Sequence, residues 1–287
     1  MQQHFVPVFY LKRFTLDDGF FYIYDVKKGK FKKNGKKFSP SSHFYEIDLN
    51  TLHYKNNTSY FIETSLSKHD TEIAEILNKI ACGGENQLTP HEWTYLQYFT
   101  NILYWRNPSA TPHLTKLIAQ AKNLSAFGMS LRDKTTGERV TDEKERQMIL
   151  ENPQFIKFLR LKMPGTTYPE IFAKNQQDHA TIQPFSPGLP KLVSDNPVIY
   201  LNEDGESLHT APMVFPLTPT KVLFRHLRPT LTIPNYVRLI VDMILIAQAT
   251  NYVSCTDQRY PLLLLESYKK TYPNLQSLKR QLVQLLK

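Results

Sequence analysis

Apolar residues recur along this chain with two different periods, and the two periods occupy separate blocks. Residues 1 to 54 are dominated by aromatic and β-branched residues broken by Gly-containing turns, the pattern of strands. From residue 60 to about 160 the apolar positions fall at helical spacing, strand signals return after Pro184, and helical periodicity resumes after Pro234. Blocks in the order β, α, β, α argue for an α+β architecture and against alternating βαβ units around a parallel sheet. The expected arrangement is an N-terminal β-hairpin region, a central helical block, a second short antiparallel β region and C-terminal helices. One integrated domain over residues 1–287 is the preferred reading, with a subdivision into 1–150 and 185–287 as its alternative.

Local signals sharpen this outline. The run Phe20 to Val26, the turn Lys27-Lys28-Gly29-Lys30 and a return arm at Phe31 predict a hairpin, and Phe44 to Ile47 predict a further strand. Ile62, Leu66, Ile73, Ile76, Leu77 and Ile80 predict a helix stopped by Gly83-Gly84. Thr89-Pro90-His91-Glu92 reads as a capping box that opens a helix ending near Arg106, before Asn107-Pro108. Helices are also expected from about His113 to Ala121, from Asp142 to Leu150, and from Pro234 to about Tyr252. Lys191 to Leu201 reads as two short strands joined at a turn, and Glu203 to Glu206 as a hairpin tip. Leu275, Leu278, Leu282 and Leu285 form a stripe suited to core packing, with a dimer seam as the minority reading.

Charge is concentrated. The chain has 35 Lys+Arg against 26 Asp+Glu, and seven of the basic residues, Lys27, Lys28, Lys30, Lys32, Lys33, Lys36 and Lys37, fall within eleven positions. Taking those seven from 35 leaves 28 basic against 26 acidic residues, so the rest of the chain is close to neutral. A lysine block beside Phe31 and Phe38 suits contact with single-stranded nucleic acid or another acidic partner, and equally a solubilising hairpin tip. With only two cysteines, Cys82 and Cys255, there is no disulfide framework and no four-cysteine zinc site. No stretch approaches the roughly 20 apolar residues of a membrane span, and no signal peptide is read at the N-terminus. A soluble cytoplasmic protein is expected, with no membrane partner.

No familiar catalytic motif is present, so candidate chemistry rests on polar residues in apolar settings. Asp195 lies between Leu192-Val193 and Val198-Ile199-Tyr200. With Ser194, Asn196 and Pro197 it forms either a structural Asx-type turn or the mounting of a metal ligand or general base. Arg106 shares a helix face with Leu96, Phe99 and Leu103, which calls for an ion pair or a bound anion. Glu63 and Asp70 share one stripe, either as a solvated edge, as partners of Arg106 or as ligands of a divalent cation such as Mg²⁺ or Mn²⁺. His4 precedes the apolar Phe5-Val6-Pro7 and suits either a packing role or a base working near neutral pH. His43, His69, His91 and His209 stand in polar contexts and are expected at the surface.

Several of these residues recur in one pattern. His4-Phe5-Val6-Pro7-Val8-Phe9-Tyr10-Leu11-Lys12-Arg13-Phe14, Phe44-Tyr45, Glu63 with Leu66 and Asp70, Arg106-Asn107-Pro108, Ser194-Asp195-Asn196-Pro197-Val198 and Phe215-Pro216-Leu217-Thr218-Pro219 resemble, in order and spacing, domain-of-unknown-function family 4238. The family is similar in carrying a glutamate where Asp70 stands, a conservative departure that could also align Glu72 there. The resemblance implies a soluble bacterial or fungal domain, without a transferable activity. It also implies that His4, Glu63, Asp70, Arg106 and Asp195 belong to one recurring set.

The leading functional expectation is a nuclease-like hydrolase directed at nucleic acid or nucleotides, metal-assisted or acid–base in mechanism, with the basic hairpin guiding substrate. The competing expectation is a non-catalytic nucleic-acid or protein-binding module whose polar set is structural. A toxin-like or defence role through the C-terminal helices is a third.

Overall fold

A computed structural model describes residues 1–54, 56–122, 124–127, 130–173, 180–201, 208, 211–227 and 233–286. The chain opens with β1 (Gln2–His4) and a single helical turn, α1 (Val8–Leu11). Five short strands follow: β2 (Phe21–Asp25), β3 (Lys30–Phe31), β4 (Lys37–Phe38), β5 (Tyr45–Ile47) and β6 (Leu52–Tyr54), the last closed by β7 (Asn57–Ser59). The helical block comprises α2 (Phe61–Ala81), α3 (Pro90–Arg106), α4 (Thr111–Gln120), α5 (Asp142–Glu151) and α6 (Pro153–Ala173). Strands resume with β8 (Ala180–Pro184), β9 (Leu192–Ser194), β10 (Ile199–Tyr200), β11 (Met213–Thr218) and β12 (Lys221–Arg225). The remaining elements are α7 (Asn235–Ala247), β13 (Tyr252–Cys255), α8 (Arg259–Thr271) and α9 (Leu275–Leu285). The fold is α+β, with antiparallel sheets and segregated helices.

Local chemistry sets the best-defined boundaries. Gly83, at φ +84°, closes α2 in a Schellman arrangement, in which Gly83 N donates to Ile80 O and Gly84 N to Lys79 O. The α3 capping box forms as expected: Glu92 N donates to Thr89 Oγ1, and Thr89 N donates to Glu92 Oε2. The hairpin also forms, with Tyr24 opposite Phe31, and β4 then pairs along the same strand, Phe21 opposite Phe38.

Long-range pairing could not be read from periodicity. β2 pairs antiparallel with β13, and β13 with β9, so residues 21–25, 192–194 and 252–255 share one sheet across the alternative division at 150–185. β10, β11, β12 and β8 build a second sheet. The two strand segments within Lys191–Leu201 therefore do form, but they enter different sheets, and the turn between them is a crossing point. α7 ends at Ala247 rather than near Tyr252, because the chain turns there and Tyr252 enters β13. The expected tip at Glu203–Glu206 and His209 lie outside the described residues. In α9, Leu278 and Leu282 are fully buried in the chain's own core, where the helix packs on α7.

Candidate functional site

The N-terminal string places one polar side chain at the edge of an apolar anchor. Phe5, Val6, Tyr10, Leu11 and Phe14 are buried, and Tyr10 OH donates to Pro216 O at 2.6 Å while its ring stacks on Phe215. The first and last strings of the recurring pattern thus clamp each other across the core. His4, at the end of β1 opposite Tyr45, is only half-buried. Its Nε2 lies 3.2 Å from Ser41 O. A carbonyl oxygen can only accept, so this contact assigns the proton to Nε2 and leaves the lone pair on Nδ1. Burial lowers the His4 pKa below its ordinary value, the Ser41 bond raises it, Arg106 lowers it further, and Glu63 and Asp70 raise it. The imidazole is therefore neutral at pH 7.

Those three charged neighbours come from other elements. Arg106, only 2% exposed, emerges from the last turn of α3, and its Nη1 donates to both carboxylate oxygens of Asp70 on α2, at 2.8 and 2.9 Å. The Asp70 side chain remains 21% exposed, so the pair is sealed on the arginine side and open on the carboxylate side. Two turns earlier on α2, Glu63 Oε2 accepts from Asn50 Nδ2 at 2.9 Å. Asn50 N in turn donates to Gln3 Oε1, which ties Glu63 to the strand that carries His4. Gln3 and Asn50 are fully buried and were not marked by the sequence; the place of Gln3 beside His4 and of Asn50 between Leu49 and Leu52 was the only available signal.

Asp195 stands apart from this group. Its carboxylate accepts backbone N–H bonds from Thr250 at 2.8 Å, Asn251 at 2.6 Å and Tyr252 at 3.0 Å. These amides lie 55 to 57 residues away, so the aspartate joins distant segments and turns the chain from α7 into β13. Burial pushes its pKa up, against the three backbone bonds that pull it down. Ser194 Oγ accepts from Asn196 N and donates to Asn196 O, and Gln248 Nε2 donates to Asn196 O and Val198 O, so Ser194, Asn196 and the buried Pro197 belong to the same structural turn. The link to the His4 group is indirect: Asn107, next to Arg106, donates from Nδ2 to Asp195 O at 2.5 Å.

The donor set does not suit a metal. Glu63 and Asp70 are two turns apart, about 10.5 Å along the helix axis, and are held by Asn50 and Arg106 respectively. Among the described residues no group of three or more His, Cys, Asp or Glu side chains is placed to hold an ion. Beside the cluster, on the next face of α2, a cavity of about 220 Å³ opens between α2, α3 and α6, lined in part by Leu66, His69, Tyr98, Ile102 and Phe158. None of the four polar residues lines it.

The buried polar content of α3 also escaped the sequence. Gln97, Thr100 and Asn101 are fully buried, and Tyr200 OH reaches Asn101 Oδ1 at 3.3 Å. Two histidines expected at the surface are not exposed. His69 is half-buried against Tyr95 and Tyr98, and His43 is 7% exposed, packed edge-on to Phe38 and Tyr252. Burial, with Lys32 and Lys33 nearby, pushes the His43 pKa down to about 4. His91 is exposed as expected.

Of the seven hairpin lysines, six are exposed and Lys32 is half-buried, its ammonium 4.8 Å above the Tyr252 ring. Lys28 approaches Asp25 at 3.9 Å and Lys37 pairs with Asp18; among the described residues the other five make no ion pair.

The recurring strings thus meet in space, and the class they define is an α+β domain in which no helix, among the described residues, is long and apolar enough to cross a membrane. The family described as "Protein of unknown function (DUF4238)" matches residues 2–236, and the chain belongs to that family. No curated protein and no solved structure matches the chain.

Proposed function

We propose that this protein is a hydrolase of phosphate esters in nucleic acid or nucleotides, working by general acid–base chemistry at the His4 cluster. One observation carries the reading: a neutral histidine with its Nδ1 lone pair uncommitted stands half-open within electrostatic reach of Glu63 and Asp70 from α2 and Arg106 from α3. In this reading Nδ1 takes the proton from an attacking water or hydroxyl as that oxygen bonds to phosphorus and the ester P–O bond breaks, the leaving oxygen takes a proton from bulk water, and the Ser41 carbonyl fixes the ring through Nε2–H. Arg106, closed off behind Asp70, adds a positive field at the edge of the site without contacting the substrate, and Asp70 holds the guanidinium in place. The lysine block supports a phosphate-bearing substrate. Ser41 stands four positions after Lys37, at most about 14 Å of extended chain, so the end of the basic segment adjoins the cluster.

Purified protein should release product from RNA, single-stranded DNA or nucleotides, and His4→Ala should abolish turnover while leaving the thermal transition near that of the parent. The rate should rise through a single ionisation below the ordinary histidine pKa and stay level above it. Absence of turnover on all three substrate types, or full activity in His4→Ala, would refute the proposal. The second reading, a non-catalytic binding module, draws on Asp195, whose carboxylate is wholly occupied by backbone amides.

A further inference from the structure

Three helices leave a gap that the His4 cluster does not use. α3 packs against both α2 and α6, whereas among the described residues α2 and α6 hardly touch each other. The space between them is the cavity of about 220 Å³, which reaches solvent at the exposed Phe61. Ile62 and Leu66 from α2 and Ile102 from α3 are buried in its wall, and Phe61, Tyr98 and Phe158 bring one aromatic ring from each helix. On α6, Pro164 stands in the same wall, where it cannot donate the backbone bond of a regular helix. Protein interiors close most voids larger than a water molecule, so a pocket of this size forfeits contacts that a bound molecule would restore.

Two polar groups are set into this apolar lining. Ser65 and His69 lie four residues apart on α2, hence on one face of the helix. His69 Nδ1 is bonded to Tyr95 OH, and the ring packs against Tyr95 and edge-on against Tyr98. Among the described residues, neither the Ser65 hydroxyl nor His69 Nε2 makes a hydrogen bond. Burial lowers the His69 pKa, against the carboxylates of Glu72 and Asp70, so the ring is neutral at pH 7. A tyrosine hydroxyl can accept or donate, which makes Nε2 an acceptor in the first case and a donor in the second. Lys162 also lines the cavity, but it is engaged in an interaction of its own.

The size and chemistry of a ligand follow from these walls. A cavity of about 150 Å³ lined by aliphatic and aromatic side chains holds benzene, so this one admits a six-membered ring with a short substituent, roughly nine non-hydrogen atoms. Three aromatic side chains favour a ring over an aliphatic chain, because aromatic pairs gain from edge and face contacts beyond the area they bury. A hydroxyl suits the polar pair better than a carboxylate. It both donates and accepts, so it matches Ser65 and either form of His69, and it carries no charge into an apolar pocket. From this juxtaposition we infer that the cavity is a binding site for a small hydroxylated aromatic compound, its ring among Phe61, Tyr98 and Phe158 and its hydroxyl on Ser65 and His69. The site lies apart from the proposed hydrolytic centre, and the inference does not rest on that reading.

The test is isothermal titration calorimetry of the full chain with probes matched at roughly nine non-hydrogen atoms: 4-ethylphenol, 4-ethyltoluene without the hydroxyl, 2-cyclohexylethanol without the aromatic ring, and benzoate with a charge. The phenol should bind at least about fivefold more tightly than each of the others. Ser65→Ala should weaken binding of the phenol about fivefold and leave that of 4-ethyltoluene unchanged. Leu161→Trp, which fills the cavity from α6, should abolish binding of every probe. Should that larger side chain prevent folding, Ser65→Ala, at a half-buried position, keeps the test decisive. No binding of 4-ethylphenol at millimolar concentration, equal affinity for 4-ethyltoluene or 2-cyclohexylethanol, a preference for benzoate, or an affinity unmoved by Ser65→Ala would overturn the inference. Turnover at His4 has no bearing on any of these readings.

Discussion

Asp70 and Asp195 carry the same signal in the sequence, an acidic side chain among apolar neighbours, yet the structure uses them in opposite ways. Asp70 faces a side chain, Arg106, and keeps one edge in solvent. Asp195 is fully buried and faces backbone, with three amide donors from one turn. A carboxylate committed to main-chain N–H groups is part of the folding machinery, because nothing can displace those donors without undoing the turn. A carboxylate paired with a guanidinium and open to water can exchange partners. The contrast separates a strut from a candidate working group, and it extends to the histidines: His43 is packed away from solvent, while His4 presents a lone pair.

The largest effect should come from the strut. Asp195→Ala leaves three amides unbonded next to a buried turn and should cost on the order of 3–4 kcal/mol in denaturant unfolding, with Asp195→Asn losing clearly less because its amide oxygen still accepts. Similar stabilities for Ala and the parent would break the contrast.

His43 predicts a pH dependence of nearly that size. Its folded pKa of about 4 lies below the unfolded value of about 6.5, so the unfolded chain binds the extra proton between those limits. Stability should be level above about pH 6.5 and decline as pH falls toward 4, by up to about 3 kcal/mol, and His43→Gln should flatten the decline. Unfolding midpoints recorded across that range provide the check.

At the open pair the cost should be smaller. Asp70→Ala strands the buried Arg106 guanidinium, but water can reach the vacated edge, so a loss of about 2 kcal/mol is expected where a sealed pair would lose more. Asp70→Glu should recover part of it, since the recurring pattern admits glutamate there. A loss as large as that of Asp195→Ala would move Asp70 to the structural side.

The smallest stability change belongs to His4→Ala, below about 1 kcal/mol, since one hydrogen bond of a half-exposed ring is removed. The same variant should show the largest loss of turnover. That inversion of order between stability and activity is what divides a working group from a strut.

Much of the local structure was legible because its causes are local. The capping box at Thr89–Glu92, the Gly83 stop of α2 and the hairpin ending at Phe31 arise from bonds among neighbours a few residues apart, and each formed where the pattern placed it. β13 and α8 were missed for the opposite reason. Periodicity carries the α7 helix on to about Tyr252 and assigns nothing to residues 253–255, whereas the pairing of Tyr252 to Cys255 with β2 and β9 depends on residues at 21–25 and 192–194. For the candidate site, residue types were legible and roles were not. His4, Glu63, Asp70 and Arg106 could be singled out as polar groups in apolar settings, but a one-dimensional pattern carries no information on whether a carboxylate will meet a guanidinium, an asparagine or a row of amides.

Residue order alone therefore determined the α+β class, the stop of α2 and the start of α3, the membership of the chain in its family and the concentration of positive charge on one hairpin. Each depends on composition, on short-range periodicity or on strings of adjacent residues. Tertiary packing was needed to decide that Arg106 meets Asp70 beside His4 while Asp195 turns to the backbone, and that Lys32 lies over the Tyr252 ring. Those outcomes depend on contacts between residues tens to hundreds of positions apart, which burial and hydrogen-bond satisfaction select only once the whole chain is packed.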